Sequence, residues 1–487
     1  MNLSIKKYYI FCYRNRRILK KKISNFSKET DEKKKIALSF DIMDFAERSG
    51  AGYYTISEIE DFYIKLAHSI DTIEDGIFYP NSYLHVMTTA YTTGGHSRVV
   101  ARWIETSPEE QKHSLVLLNQ GNNEIPQDIQ TAVASHGGDI YVSSNQDLLE
   151  NARYLRKLSL QYKGIILHIH PKDPTSIIAY GVNTFKTPIL MFNHADHNYW
   201  CGASIVDVIA DIRDNGISQK YRNIDDVYVL RIPIESNFNL NKYINAKSSS
   251  RLSLGIAQDV KVILTIGRSA KYKSIGNIEF CNVIYSVLQQ VPSSICYGIG
   301  PTEETGFWGN TPKCVPLGEI AYGEEYYKYL AAADLYVDSL PIGGGVAIMD
   351  AIQAHLPVLS YSVFNPDFGS LVEGVTKISK KKEFLELAVS LLLDSKKSEA
   401  LACQQYKTMM KYHGTRGWNA KKEDIISILK GKKHSVKKIR NISSSIDDRC
   451  VMLGIKSIVT DGDRKIQASN IFSRVMKKII YYFINKI

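Results

Sequence analysis

The sequence predicts an α/β protein in which two doubly wound domains of similar size follow one another along the chain. From Ser82 onward, short apolar runs alternate with helical patterns, as expected for a parallel sheet covered by helices. A polar stretch, Asn237–Ser250, interrupts this alternation, and a second series of the same kind begins after it. Domains of this type bind ligands outside the carboxyl ends of their strands, so two that face each other enclose a cleft.

Each series supplies its own strands and helices. The first series predicts strands at Tyr83–Ala90, Ser114–Leu118, Asp139–Val142, Gly164–His168, Pro188–Phe192 and Val227–Leu230. The second predicts strands at Val260–Ile266, Ser294–Tyr297, Leu335–Val337 and Val358–Tyr361. The predicted helices include Ser97–Glu105, Ala203–Arg213, Ile278–Gln289, Glu324–Ala332, Ala347–Ala354 and Glu383–Leu393.

The same pattern divides the chain into four parts. Residues 1–80 are predicted to form a basic, helical N-terminal extension, and residues 81–240 the first Rossmann-like domain. Residues 241–430 form the second Rossmann-like domain, and residues 431–487 a basic tail that ends in an amphipathic helix.

Composition argues against a membrane-spanning, secreted or nucleic-acid-binding protein. The chain has 487 residues, a hydrophobic content of 44% and a formal net charge of +11, with much of the basic excess at its two ends. It contains no run of about 18 apolar residues and no cleavage site after the short apolar patch Tyr8–Tyr13, so neither a transmembrane helix nor a secretory signal is predicted. The seven cysteines form no CxxC pair, which indicates reduced thiols and a cytoplasmic location. Nucleic acid is not expected as a partner, because no zinc-finger, RNA-recognition or helix-turn-helix signature accompanies the basic charge.

The last segment, Asn470–Ile487, places apolar residues three and four apart and basic residues on or beside the other face. A basic amphipathic helix of this kind suits peripheral contact with an anionic membrane, such as the inner face of the plasma membrane. The alternative is that the helix packs back onto the first domain.

The strongest motif is a glycine-rich turn between a strand and a helix. A buried strand ends in Asp338, a turn with Pro341 leads to Gly343, Gly344 and Gly345, and a helix follows. Glycines at a helix start let an anion approach the backbone N–H groups, and the helix dipole favours negative charge there. Further along that helix, the carboxylate of Asp350 is suited to accept hydrogen bonds from ribose hydroxyls. The turn therefore predicts a phosphate site. The alternative is a glycine-rich turn with an ordinary packing role.

A basic loop follows the first strand of the second domain. After Ile266 it contains Arg268, Lys271 and Lys273. Cations at the carboxyl end of a strand, on the face shared with the glycine turn, suit a diphosphate. The alternative is an exposed basic loop without a ligand.

The first domain has a similar turn, in which a strand leads to Gly94, Gly95 and His96 and then to a helix. His96 is a candidate general base or phosphate contact. The alternative is a histidine with a purely structural role.

Two histidine-rich segments follow later strands of the first domain, namely HIHPKDP at 168–174 and FNHADHNYW at 192–200. We interpret His194, Asp196 and His197 as polar residues that line the cleft and as candidates for acid–base chemistry. A metal site is the less favoured reading, because the second domain offers no matching set of ligands.

The run DSLPIGGGVAIMDA at 338–351 resembles the donor site of inverting GT-B glycosyltransferases akin to protein O-GlcNAc transferase and the bacterial adhesin N-glycosyltransferases. The segment SAKYK at 269–273 is similar to their Tyr-Lys loop, and GGH at 94–96 to their N-terminal histidine loop. The resemblance implies that Asp350 holds the donor ribose and that Lys273 contacts the donor diphosphate. It also implies a GT-B fold in which the first domain faces the acceptor and the second binds the donor.

We therefore expect transfer of a sugar from a nucleoside diphosphate sugar, a UDP-hexose or UDP-N-acetylhexosamine, to a glycan, lipid-linked or protein acceptor. No cofactor and no metal are expected, because the helix start and the basic loop can meet the diphosphate charge. The alternatives are a nucleotide-sugar epimerase on the same fold and a non-catalytic sugar-binding subunit.

Overall fold

The computed structural model describes residues 3–70, 79–92, 95–144, 147–234, 246–274, 279–305, 308–362 and 371–460. Within these ranges the chain forms two parallel sheets, each flanked by helices, and a helical layer built from both ends of the chain. The predicted α/β fold with two doubly wound sheets is therefore confirmed.

Three helices precede the first sheet: α1 (Leu3–Lys28), α2 (Glu32–Arg48) and α3 (Ser57–Ala67). Helix α2 begins after Asp31, whose side chain accepts a hydrogen bond from the Lys34 N–H and so caps the helix. Phe26 of α1 packs edge-to-face on Phe62 of α3, with ring centroids 5.5 Å apart. These contacts join the N-terminal helices to the core of the first domain.

The first sheet has seven strands in the order β3-β2-β1-β4-β5-β6-β7, and every neighbouring pair is parallel. Its strands are β1 (Ser82–Met87), β2 (Lys112–Leu117), β3 (Ile140–Val142), β4 (Gly164–His168), β5 (Ile189–Asn193), β6 (Val208–Asp211) and β7 (Val227–Val229). Its helices are α4 (Gly95–Glu105), α5 (Gln127–Ser135), α6 (Leu148–Ser159), α7 (Thr175–Tyr180) and α8 (Ile217–Arg222). Every residue of β1, β4, β5 and β6 is buried, as expected for strands covered on both faces.

The helix predicted at Ala203–Arg213 is wrong, because strand β6 occupies Val208–Asp211. All four residues of this strand are buried. A short apolar run that is buried on both faces has no alternation, so periodicity cannot distinguish it from a buried helix.

The second sheet has six parallel strands in the order β10-β9-β8-β11-β12-β13. Its strands are β8 (Lys261–Ile266), β9 (Ser294–Ile299), β10 (Cys314–Gly318), β11 (Leu335–Val337), β12 (Val358–Tyr361) and β13 (Thr376–Ile378). Its helices are α9 (Lys247–Ser253), α10 (Phe280–Gln290), α11 (Glu324–Ala332), α12 (Val346–Gln353) and α13 (Lys381–Leu393). In both sheets the strand order reverses beside the first strand, at β1/β4 and at β8/β11, and such reversals are where ligands bind.

Two further helices, α14 (Ser395–His413) and α15 (Thr415–Lys430), carry the chain back to the first domain. Trp418 of α15 packs edge-to-face on Trp103 with ring centroids 5.8 Å apart, and its indole N–H donates to the carbonyl of Arg231. Helix α15 therefore packs on the first sheet, although it follows the second sheet along the chain.

The described chain ends in helix α16 (Asp448–Thr460), which packs against α1 through a buried contact between Cys450 and Cys12. Most of the predicted linker lies outside the described residues, but its last part begins helix α9. The predicted tail helix Asn470–Ile487 also lies outside them and stays a prediction. Among the described helices, none is long and apolar enough to cross a membrane.

Candidate functional site

A cleft of about 550 Å³ lies between the two domains, beyond the carboxyl ends of β8, β11 and β12. The first domain contributes His197, Arg213 and Ile217 to its lining, and the second contributes most of the remainder. Helix α16 supplies a further wall through Arg449, Met452, Leu453 and Lys456. The cleft thus occupies the reversal point of the second sheet, where a doubly wound domain places its ligand.

The glycine turn wraps around the carboxylate of Asp338, at the end of β11. This carboxylate accepts hydrogen bonds from the backbone N–H groups of Ser339 and Gly344, each at 2.8 Å. A Cβ atom at Gly343 or Gly344 would lie only 2.9 Å from an oxygen of Asp338, so a larger residue at either position would displace this carboxylate. The two glycines therefore pack around Asp338, which is the structural role that the sequence left open as the alternative to a phosphate site.

Helix α12 begins at Val346, directly after this turn, and no described side chain caps it. Gly343, Gly344 and Gly345 all line the cleft. The uncapped N–H groups and the positive end of the helix dipole therefore lie at the cleft wall, where they favour an anion.

The cleft lining is strongly basic. Of the described residues that form it, six are arginine or lysine, and Asp338 supplies the one carboxylate. The six are Arg213, Arg268, Lys271, Lys377, Arg449 and Lys456. Burial lowers the pKa of Lys271, with Asp338 opposing the shift, and the pKa values of Lys377 and Lys456 are also lowered by burial. Amines crowded in this way suit a ligand with more than one negative charge, such as a diphosphate.

The structure separates the two lysines of the basic loop. Lys271 lines the cleft with Arg268, whereas Lys273 is not among the lining residues. Residues Ser269–Tyr272 form a 3-10 turn, and Tyr272 between the two lysines is buried with its hydroxyl 2.8 Å from that of Thr265. Lys271 lies within this turn, whereas Lys273 follows it with an extended backbone, so helical spacing does not bring the two side chains to one side. The basic loop predicted both lysines as diphosphate contacts and the resemblance implied Lys273 in particular, whereas Lys271 is the one that lines the cleft.

Asp350 lies outside the main cleft. It is buried on α12 and accepts a hydrogen bond of 2.7 Å from the hydroxyl of Tyr326. It lines a small cavity of about 20 Å³ at the domain junction, together with Gly95 and Arg98. The ribose role that the resemblance implies for Asp350 stays a prediction.

The first domain brings His96 and His194 together, from the start of α4 and the end of β5. Their ring centroids lie 4.1 Å apart, and the ring of His168 lies 6.2 Å from that of His96. Three buried nitrogens here, Nε2 of His96, Nδ1 of His168 and Nδ1 of His194, have no hydrogen-bond partner among the described residues. We call His96, His168 and His194 the histidine cluster. Gly94, which precedes the cluster, lies outside the described residues.

His197 is oriented differently, by the carboxylate of Asp196. Asp196 is fully buried and lies 3.1 Å from Nδ1 of His197, while Arg213 and Asn215 donate to it at 2.7 Å and 3.2 Å. Burial, with the nearby Arg213 cation, lowers the pKa of His197 to about 4, so the ring is neutral near pH 7. With its Nδ1–H donated to Asp196, the neutral ring carries its lone pair on Nε2. His197 therefore presents a hydrogen-bond acceptor at the wall of the cleft.

In the described part of the chain, no three His, Cys, Asp or Glu side chains are arranged to hold a metal ion. The histidine cluster supplies three imidazoles but does not meet that arrangement.

The sequence matches no protein-family profile. No curated protein matches it either.

The structure is similar to a mutant of the Thermobaculum terrenum O-GlcNAc transferase, with a TM-score of 0.52 and 11% identity over 82% of this chain and 81% of that one. It is also similar to a glycosyltransferase from Rickettsia africae, with a TM-score of 0.51 and 10% identity over 72% of this chain and 99% of that one. The chain has the two-domain GT-B fold. At these identities the similarity establishes the fold, and the chemistry must be argued from the site.

Proposed function

We propose that this protein transfers a sugar from a nucleoside diphosphate sugar to an acceptor. The observation that carries the proposal is the convergence of Arg268, Lys271 and the uncapped start of α12 on one interdomain cleft. The donor is a UDP-linked hexose or N-acetylhexosamine, in keeping with the resemblance of residues 338–351. The acceptor is a glycan, a lipid-linked saccharide or a protein.

The positive charges of the cleft favour departure of the diphosphate. When the bond between the anomeric carbon and the diphosphate oxygen breaks, that oxygen gains negative charge. Arg268 and Lys271 are already in the cleft wall, so little reorganisation is needed to stabilise this charge. The cationic side chains provide the charge compensation, and the proposed reaction requires no metal ion.

The acceptor is activated by His197. Its Nε2 lone pair takes the proton of the acceptor hydroxyl or amide as that atom bonds to the anomeric carbon. The diphosphate leaves from the opposite side, so a single displacement inverts the anomeric centre. Asp196 stabilises the imidazolium that forms, since it already accepts the Nδ1–H.

The experiment is a calorimetric titration of the full chain with UDP, CDP, GDP, UMP and uridine. We expect UDP to bind and UMP to bind more weakly, because the cations contact the diphosphate. Affinity for uridine equal to that for UDP would contradict the proposal. Incubation with UDP-glucose and UDP-N-acetylglucosamine then separates the functions. Epimerised sugar without an acceptor indicates an epimerase, and binding without turnover indicates a non-catalytic subunit.

A further inference from the structure

A row of three buried histidines crosses the first sheet from one end of its strands to the other. His113 lies on β2, His85 on β1 and His168 on β4. His113 is in register with Tyr83, and His168 with Met87, so all three side chains lie on the same face as His85. We call these residues the histidine row.

The row is continuously hydrogen-bonded. Nε2 of His85 lies 2.9 Å from Nδ1 of His113, and Nδ1 of His85 lies 3.0 Å from Nε2 of His168. At the far end, Nε2 of His113 lies 3.2 Å from the amide oxygen of Gln111, whose amide nitrogen donates to Glu423 at 3.3 Å.

The hydrogen bonds along the row can run in one direction only, because the Gln111 oxygen at its end can only accept. Burial lowers the pKa of each ring well below its ordinary value, so each is neutral and carries one N–H. The Gln111 oxygen can only accept, so His113 carries its hydrogen on Nε2 and accepts at Nδ1. His85 must then donate from Nε2 and accept at Nδ1, and His168 must donate from Nε2. The Nδ1 of His168 is left as a bare lone pair.

That lone pair belongs to the histidine cluster, where Nε2 of His96 and Nδ1 of His194 are also buried and unpaired among the described residues. Buried polar atoms without partners are costly, so these three, on α4, on β4 and directly after β5, require a polar group that bonds to them. Gly95, next to His96, lies close to Val346 at the start of α12. The cluster therefore adjoins the junction between the two domains.

We propose that the histidine cluster binds one hydroxyl group of the acceptor, and that His85 and His113 are positioning residues that fix the tautomer of His168. A hydroxyl donates one hydrogen and accepts up to two. Its hydrogen bonds to the lone pair of His168, while its oxygen accepts from His96 and His194. An ether, a methyl group or a fully ionised anion lacks the hydrogen that His168 requires, so the cluster favours a group that both donates and accepts, as an alcohol does. This inference rests on the proposed function, since it assigns the site to the acceptor.

The first test is nitrogen NMR of the full chain with ¹⁵N-labelled histidine, which distinguishes a protonated ring nitrogen from a bare one. We expect His168 to carry its hydrogen on Nε2, and His85 and His113 to do the same. An Nδ1–H tautomer at His168, or a mixture of tautomers, would overturn the proposal. This measurement needs no substrate.

The second test adds glucose, galactose and N-acetylglucosamine as hydroxyl probes. At least one should shift the Nδ1 signal of His168, and the variant His85→Phe should raise its dissociation constant about tenfold or more, because it releases the tautomer of His168. The control is His136→Gln, which removes a buried imidazole near His113 that bonds to backbone carbonyls outside the row. This control should bind the probe as the parent protein does.

If no probe shifts His168, or if the control loses binding as His85→Phe does, the hydroxyl site is refuted. Titration of the same samples with UDP tests the proposed function independently of the hydroxyl site, because the nucleotide is proposed to contact the cleft cations and not the row. A protein that binds UDP but shows no response at His168 retains the proposed function and loses this inference.

Discussion

Replacing Lys271 by methionine tests the donor site most directly. The substitution keeps the length of the side chain but removes its charge from the cleft wall. Loss of one charge-assisted hydrogen bond to a phosphate costs about 1.5–3 kcal/mol, which weakens UDP binding about 10- to 100-fold. Asp338 retains hydrogen bonds from Ser339, Gly344 and Ser360, so we expect the fold to persist. Calorimetry with UDP measures the effect, and thermal unfolding checks the fold.

The matched control is Lys273→Met in the same loop. The structure places Lys271 in the cleft lining and Lys273 outside it, so the control should bind UDP as the parent protein does. If Lys273→Met loses affinity while Lys271→Met does not, the reasoning from cleft geometry is refuted and the assignment from sequence resemblance is correct.

The pH dependence provides a second measurement on the same pair of variants. Burial lowers the pKa of Lys271, so its amine loses its charge at a lower pH than an exposed lysine does. UDP affinity should therefore fall as the pH rises through this lowered pKa. The fall should be smaller in Lys271→Met and unchanged in Lys273→Met.

The remaining predictions concern catalysis, metal, acid stability and membranes. His197→Gln should lower kcat by about 10²- to 10⁴-fold in a transfer assay without changing UDP affinity, and an equal loss of both would contradict its role as base. Turnover should survive EDTA, and a loss that a divalent ion restores would count against the proposal. In urea titrations, the free energy of unfolding should fall as the pH drops below about 6.5, by up to about 1.4 kcal/mol per pH unit for each buried neutral histidine, because only the unfolded chain takes up those protons. The full chain should sediment with anionic vesicles more than a chain ending at Ser469, and equal sedimentation would exclude membrane contact by the tail.

Sequence patterns located the central strands well, because these are apolar runs bounded by polar or turn residues. The predicted bounds of Gly164–His168, Leu335–Val337 and Val358–Tyr361 match the structure. Besides β6, the strands that the patterns missed are β10 and β13, which lie at the edges of the second sheet. Strand β10 contains Pro316, and proline disfavours a central strand because it lacks a backbone N–H, although an edge strand tolerates it.

The candidate site was predictable where it is built from contiguous residues. The glycine turn and Arg268 were recognised from local motifs, and the structure places both in the lining of one cleft. Arg449 and Lys456 were not recognised, because their position depends on packing between segments that are far apart in the chain. His85 and His113 were overlooked for another reason, since a single histidine in an apolar strand gives no local signal of a hydrogen-bonded row.

The wall formed by α16 also determines the point in synthesis at which the ligand cleft becomes complete. Both Rossmann-like sheets are complete once residue 378 has been made, and chains fold progressively as they emerge from the ribosome. The cleft is not complete at that stage, because Arg449 and Lys456 are added about 70 residues later, on a helix that packs against α1. A chain released early would therefore hold two folded sheets and lack one side of its ligand site. Damage to α1, which does not itself line the cleft, should have a similar effect, because it removes the surface on which that wall rests.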